Sequence, residues 1–377
     1  MKKKLARLLL SLVIIPSLGL SNTEIMIALT DTGSSLHIFQ YQSDGNIPQI
    51  REIFSRKNLL PVSTFQTYPA KASLKSLLIT AQQKLNEWHI AQPDNIEVIG
   101  LSHMQLLPPS TVKSIYNNIQ NEVSVYFPQT PITIRTISGK QQALYGWLEV
   151  NYQLGKFADG KTTVGTINIS NTATDIAFER PHAEQTIDEM TFTINNHNYI
   201  VFTKSYLGLG LAQARHMLQI DDFANTCYPT GNFNLIHCKD AYDKIIKNYA
   251  IALPTFKIKK FYTISHNIFQ TYHFFDIKKP FDQETIEQEY INKVCHNPWE
   301  VLKIAYPATD ETELLNMCSD SIFITQMLYH TLQLQPQQLR FAENIHGHAI
   351  NWARGALLYR MTKKSYDKLG SVDNSLG

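Results

Sequence analysis

The sequence predicts an α/β fold built as two lobes around a cleft. Three observations lead there. Strand-like and helix-like segments alternate along the first half of the chain, the pattern of α/β layers. One feature occurs twice: a short apolar strand enters a turn of small polar residues and a second strand leaves. It runs from Glu24 to Gln42, EIMIALTDTGSSLHIFQYQ, and again from Val164 to Phe178, VGTINISNTATDIAF. Finally, 377 residues are too many for one ordinary core and suit two domains.

Composition narrows the class. At 44% hydrophobic and 18% charged the chain is globular. Residues 1–21 read as a secretory signal: Lys2, Lys3, Lys4 and Arg7, then an apolar stretch from Leu8 to Leu20 and small residues around Gly19 and Ser21. That stretch is too short for a membrane span, and no other candidate follows. Removing it would take four positive charges and change the formal charge from +2 to −2. No basic footprint for nucleic acid then remains. An even cysteine count in an exported chain favours disulfides. Neighbours in sequence suggest Cys227–Cys238 and Cys295–Cys318, with four buried thiols as the alternative.

The elements follow in order. Lys71 to His89 carries apolar residues at helical spacing, Leu74, Leu77, Leu78, Ala81 and Leu85. Ile96 to Leu101 reads as a strand. Ser110 to Val125 reads as a helix capped by Ser110. Thr133 to Ile137 is a strand, and Gln141 to Leu154 a helix crossing between lobes. Past the second hairpin, strands are expected at Met190–Ile194 and Tyr199–Lys204, then a helix over Ser205–Leu218. Further helices are expected at Ala241–Tyr249, Glu284–Cys295, Glu311–Leu332 and Ile345–Lys363.

The two turns carry the chemistry. In the first, Asp31-Thr32-Gly33-Ser34-Ser35 offers turn amides, two hydroxyls and a glycine that lets backbone approach a ligand, a concavity suited to phosphate. Asp31 could hold a hydrated cation. An aspartic peptidase reading needs a second Asp-Thr/Ser-Gly, and the chain has none. In the second turn the matching residues are Asn168, Ile169, Ser170, Asn171 and Thr172. Gly208 and Gly210 complete no dinucleotide fingerprint. His346-Gly347-His348 reads as ordinary polar chain.

The order of segments resembles the ecto-apyrase family, the nucleoside triphosphate diphosphohydrolases. The resemblance covers roughly Ile25 to Tyr359. It rests on Asp31-Thr-Gly-Ser-Ser35, Gly100 to Pro108, and Ile137 to Trp147 running on to Asn151-Tyr152 and Leu154-Gly155. The second hairpin, Ser205 to Gly210, and Ile350 to Ala356 complete it. The Tyr-Gly-Trp of the third block, followed by Asn-Tyr and Leu-Gly, is the most distinctive part. The resemblance implies two actin-like (ribonuclease-H-like) lobes with a central cleft. Lobe I would span 22–146, joined by a C-terminal helix at 353–377, and lobe II 147–352. It implies removal of terminal phosphates from nucleotides with a divalent metal, Mg, Mn or Ca.

The departures from the family pattern shape the functional reading. A few residues are missing between Ser35 and Leu36, which predicts a shallower cradle. Leu101, His103 and Gln105 stand where the family has Thr, Gly and Arg. The position of its general base, a Glu, is Gln142. A metal-side Asp is Asn168, the water-positioning Ser is Ala173, and a Gln is Asp175. An amide takes no proton at ordinary pH. Losing a base alone costs on the order of 10²–10⁴ in rate.

The sequence therefore predicts an exported, soluble, disulfide-bonded monomer of this family. It would bind nucleotide between the lobes, with hydrolysis weakened or lost. Asp31 and Asn168 would face the metal through water. Thr32, Gly33, Ser34, Ser35, Ser170, Asn171 and Thr172 would bind phosphate, and Phe269 would stack on the base. Two alternatives stay open: an active hydrolase with a rearranged site using Asp31 and Asp175, and an interaction protein for another protein, with an empty cleft.

Overall fold

The structure, a computed structural model, describes residues 22–30, 33–43, 45–59, 68–184, 186–219, 224–254 and 258–372. The signal-like segment and two site residues, Asp31 and Thr32, lie outside the described residues.

Two mixed sheets repeat one layout. The first contains β1 (Asn22–Thr30), β2 (Gly33–Gln42), β3 (Gln49–Asn58), β4 (Asn95–Gly100) and β5 (Ile132–Thr136), in the order β3-β2-β1-β4-β5. Strands β1, β2 and β3 pair antiparallel, while β4 and β5 run parallel to β1. Helices α1 (Tyr68–Glu87) and α2 (Pro109–Tyr126) make the crossovers that parallel strands require. The second sheet contains β6 (Gly165–Ile169), β7 (Ala173–Glu179), β8 (Glu189–Ile194), β9 (His197–Leu207), β10 (Phe261–Thr263) and β11 (Leu339–Phe341). Its order is β11-β10-β6-β7-β9-β8. Thus β6, β7, β9, β10 and β11 take the places of β1, β2, β3, β4 and β5, and β8 is added at the edge.

β1 is flanked on both sides, which is why Thr23 to Leu29 are buried without alternation. The helix α3 (Gly139–Gln153) starts on a capping box formed by Ser138 and Gln141. Gln142 to Asn151 are all buried, so this helix has no solvent face. It packs on β6, β7 and β9 on one side and on α11 (Trp352–Val372) on another. The crossing with α11 is close: a Cβ on Gly355 would lie 1.9 Å from the Tyr145 carbonyl oxygen.

This helix pair touches both sheets and joins them through one apolar cluster that includes Met26, Phe39, Trp147, Tyr199 and Leu357. Arg360 of α11 reaches the first sheet and pairs with Glu24 and with Glu97 (2.9 Å). The sequence-based division between 146 and 147 falls within α3.

The second lobe is completed by α4 (Leu211–Leu218), α5 (Leu235–Lys247), α6 (His266–Phe274), α7 (Gln283–Thr285), α8 (Lys293–Cys295), α9 (Trp299–Ala305) and α10 (Glu311–Thr325). Cys227–Cys238 and Cys295–Cys318 are bonded, the pairing that sequence neighbours suggest.

Several expectations need correction. Pro109, not Ser110, opens α2: its missing N–H costs nothing at that position. Ser205 to Leu207 extend β9, and the helix that follows starts at Leu211. Ile345 to Ala349 form a small hairpin of β12 (Asn344–Ile345) and β13 (His348–Ala349), turned by Gly347 at φ +81°.

Candidate functional site

A cavity of about 690 Å³ opens between the lobes. The first-lobe side supplies Thr30, Lys57 and Leu101, and the second-lobe side Asn168, Ser170 and Asp175. Gln142, on the first turns of α3, reaches across. Its Oε1 accepts from the Ser102 backbone N–H (3.0 Å), beyond β4. Its Nε2 donates to Asp175 Oδ2 (2.9 Å), on β7.

Register places the second pair. Asn168 on β6 faces Asp175 on β7, and Asn168 Nδ2 donates to the same Oδ2 (3.1 Å). Two amides and one acid thus converge on a single oxygen. Burial pushes the Asp175 carboxyl up to about 6, opposed by Ser205, Asn168 and Gln142. Asp175 Oδ1 is buried and has no well-formed partner. Close approach here depends on Gly139, where a Cβ would lie 2.3 Å from the Ser205 side chain.

The Ser170–Thr172 turn is satisfied from within. Ser170 Oγ accepts from the backbone N–H groups of Thr172 (3.2 Å) and Ala173 (3.0 Å). Gly210 packs on the same amides: a Cβ there would lie 2.4 Å from both. Ser170 and Asn171 line the cavity, whereas Thr172 and Ala173 stand behind it.

The first turn differs from expectation. Gly33, Ser34 and Ser35 are in β2, paired with Thr30, Leu29 and Ala28 of β1. Ser34 and Ser35 also pair with Asn58 and Lys57 of β3. They sit in a three-strand ladder, not in an open loop. Gly33 has φ +149° and lies so close to Asn58 that a Cβ would be 1.9 Å from its carbonyl oxygen. Ser34 Oγ is buried and has no partner among the described residues, and Ser35 Oγ is engaged by His37 Nε2 (2.9 Å).

The family model described as GDA1/CD39 (nucleoside phosphatase) family matches residues 22–248 and 234–371. The chain belongs to this family. Nucleoside-diphosphatase mig-23 of Caenorhabditis elegans is 25% identical over 423 residues, spanning 88% of this chain and 75% of that protein. Ectonucleoside triphosphate diphosphohydrolase 8 of Mus musculus is 22% identical over 407 residues, spanning 87% and 81%. Among solved structures, nucleoside triphosphate hydrolases from Neospora caninum align at TM-score 0.63, with 10% identity, over 91% of this chain and 93% of that one. The Ppx/GppA family member of Aquifex aeolicus aligns at TM-score 0.57, with 9% identity, over 91% and 98%. These likenesses show the two-lobed actin-like fold.

Other candidates in this nucleoside phosphatase-family chain fall away from the cleft. Phe269 lies on the other edge of α6 and lines a separate cavity with Tyr272, Arg340 and Phe341. The cleft side of α6 instead presents His266, Asn267 and Gln270. Helical spacing of the polar residues in this segment could have shown that. His103 is buried, and burial holds it down to about 4, so it stays neutral.

Sequence reasoning also missed Lys57 and Asn351, which reach the cavity only through long-range packing. The described donors do not compose a divalent-metal site. No cluster of three His, Cys, Asp or Glu side chains occurs among the described residues, and the one central acid already accepts two amides.

Proposed function

We propose that this chain binds a nucleoside di- or triphosphate in the interlobe cleft and hydrolyses it slowly or not at all. The observation that carries this reading is the environment of Asp175. The position where the family resemblance puts a general base is the amide Gln142, and it is spent in hydrogen bonds to Ser102 and Asp175. The central carboxylate accepts both neighbouring amides through one oxygen, and its other oxygen is buried. The amide takes no proton at ordinary pH, and the unpartnered oxygen of Asp175 is closed to solvent, away from an attacking water.

Phosphate would meet Ser170, Asn171, Asn168 and Lys57 on the cavity wall, with Gly33, Ser34 and Ser35 behind it in β2. Ala173 offers no hydroxyl to a water. Asp31, together with Asn168 through water, would face a metal, since the family is in general divalent-metal dependent. Two disulfides suit an oxidising compartment and support a secreted or periplasmic location. No helix among the described residues is long and apolar enough to cross a membrane.

A second reading, an active hydrolase using Asp31 and Asp175, draws on the raised Asp175 carboxyl, close to the range useful for a base. One experiment separates them. Phosphate release from ATP, ADP, GTP and UTP with Mg²⁺, Mn²⁺ or Ca²⁺ is compared with Asp31→Ala, alongside thermal shift with non-hydrolysable nucleotides. Stabilisation with slow release supports binding without efficient turnover. Robust, Asp31-dependent release refutes it.

A further inference from the structure

Three charged side chains meet where α3, α11 and β3 come together beside the cleft. Arg354, on the first turn of α11, donates from Nη1 to Glu149 Oε1 of α3 (3.0 Å) and from Nη2 to Glu52 Oε2 of β3 (3.3 Å). The side chains of Arg354, Glu149 and Glu52 are only 5%, 0% and 10% exposed. One guanidinium thus faces two carboxyl groups in a site closed to solvent. A buried charge without a counter-charge is costly, so the cluster balances when one of the two acids keeps its proton.

The hydrogen bonds distinguish the acids. Glu52 is engaged through both oxygens: Oε1 lies 2.6 Å from His37 Nδ1, and Oε2 accepts from Arg354 and from Asn351 Nδ2 (3.4 Å). Glu149 uses one oxygen only. Its Oε1 accepts from Arg354, from Gln153 Nε2 one turn further along α3, and from the Asn351 backbone N–H (3.5 Å). Glu149 Oε2 is buried and has no partner among the described residues, and the same holds for Gln153 Oε1. Two acceptors on residues already joined through their other ends lack a single hydrogen. A carboxylic acid supplies it, since an O–H on Oε2 can donate to the amide oxygen. Burial pushes the Glu149 carboxyl up to about 7, opposed by Arg354, in keeping with an acid that holds its proton. Nearby, Tyr152 spends its hydroxyl on the Pro48 carbonyl (3.0 Å) and the Ile50 N–H (2.8 Å), and Arg51, His346 and His348 line the adjoining cavity with Gln153.

We propose that a proton on Glu149, shared with Gln153, fastens the junction of α3, α11 and β3 and acts as a pH-sensitive switch on the cleft. Neutral Glu149 completes the hydrogen bond to Gln153 and leaves the charge of Arg354 to Glu52. Loss of the proton leaves one negative charge in excess and two unpaired acceptor oxygens, and the start of α11 moves off α3 to admit water. Ile350, Asn351 and Trp352, which lead into α11, line the interlobe cavity, so this movement loosens the cleft wall. Nucleotide affinity then falls as pH rises past about 7. That last consequence rests on the cleft reading above. The proton and the loosening do not.

The test uses the purified full chain and three variants. Glu149→Gln keeps a neutral donor beside Gln153, and His37→Gln removes the imidazole whose charged form could also offset Glu52. Infrared difference spectra, wild type minus Glu149→Gln, should show the C=O band of a protonated carboxyl that persists to about pH 7. The band should survive in His37→Gln. Glu52→Gln leaves Arg354 to Glu149 alone, so the band should titrate at lower pH, an assignment that does not touch Glu149 itself. Hydrogen–deuterium exchange reads the junction: between about pH 6 and 8, residues 350–354 should lose protection in wild type relative to Glu149→Gln. Adenylyl and guanylyl imidodiphosphate with Mg²⁺ read the cleft. Above about pH 7 their affinity should fall by up to about tenfold per pH unit relative to Glu149→Gln, a comparison that cancels titration of the phosphates.

A difference spectrum without a protonated-carboxyl band at about pH 6, or a band that Glu52→Gln leaves unmoved, refutes the proton site. A band with no change in exchange refutes the fastener. If exchange rises as expected and neither nucleotide analogue binds at any pH, the fastener stands and the cleft reading fails. If the analogues bind with one pH profile in wild type and Glu149→Gln, the cleft reading stands and the switch is refuted.

Discussion

Replacing Gln142 by Glu restores the family's acid at that position but sets it against Asp175. In the native site Gln142 Nε2 donates to Asp175 Oδ2 at 2.9 Å. The substitution removes a hydrogen bond to a carboxylate, worth about 1.5–3 kcal/mol. It also places two carboxylate oxygens near contact. At an effective dielectric constant near 20, two full charges at that separation repel by about 6 kcal/mol. The pair escapes part of this by holding a proton.

The single variant Gln142→Glu should therefore melt well below wild type at neutral pH, by about 2–5 kcal/mol. The deficit should shrink as pH falls, since the facing carboxylate pushes the already raised Asp175 carboxyl up further and a proton held by the pair removes the repulsion. Adding Asp175→Gln turns the pair round, with the acid on α3 and the amide on β7. Stability should return to within about 1 kcal/mol of wild type, since one acid–amide bond replaces another. If a missing base limits turnover, phosphate release by the double variant should rise by about 10²–10⁴-fold. Differential scanning calorimetry across pH and a phosphate-release assay read the two effects. A single variant as stable as wild type would refute the convergence on Asp175. A stable double variant with no gain in rate would refute the account of weak hydrolysis.

Three further outcomes are expected. Glu149 is fully buried beside Arg354, and burial pushes its carboxyl up to about 7 from an ordinary 4.5. The native state then holds a proton that the unfolded chain has released, so stability falls as pH rises between those values, by up to about 3 kcal/mol. Glu149→Gln should flatten that slope in melts recorded against pH, and an unchanged slope would contradict the assignment. Opening Cys295–Cys318, which closes a separation of 23 residues, should cost roughly 3 kcal/mol. Denaturant unfolding of the paired Ser variants checks this, and no loss would show that the bridge adds nothing. Gly355→Ala forces a methyl against the Tyr145 backbone, which cannot give way as a side-chain tip could. A loss of about 1–3 kcal/mol is expected from overpacking, and a neutral melt would show that α3 and α11 part easily.

Much of the architecture was legible because the signals are local. The paired hairpins and alternating elements needed only neighbouring residues, and both disulfides joined cysteines adjacent in order. The convergence of Gln142, Asn168 and Asp175 followed from aligning short blocks with a known family, then from the Asn168–Asp175 register. What stayed hidden depends on contacts between distant segments. Gly33 to Ser35 looked like an open turn because nothing nearby announces that β3 will pair with them. Phe269 looked like a cleft residue because its face of α6 depends on where the helix docks. Ser35 and Glu52 meet through His37 only once β2 and β3 pair and the bulge at Ile38/Phe39 sets the register.

The anchoring of α11 bears on how the chain is made. Glu24 and Glu97 are buried in the first strands, yet the guanidinium of Arg360 that both touch emerges hundreds of residues later. During vectorial synthesis or export, the early sheet must wait with Glu24 lacking its cation, whereas Glu97 already pairs with Arg135 (2.7 Å). Its final closure is therefore a late event, set by delivery of the tail, and premature termination before Arg360 should yield a chain that chaperones and proteases treat as unfinished.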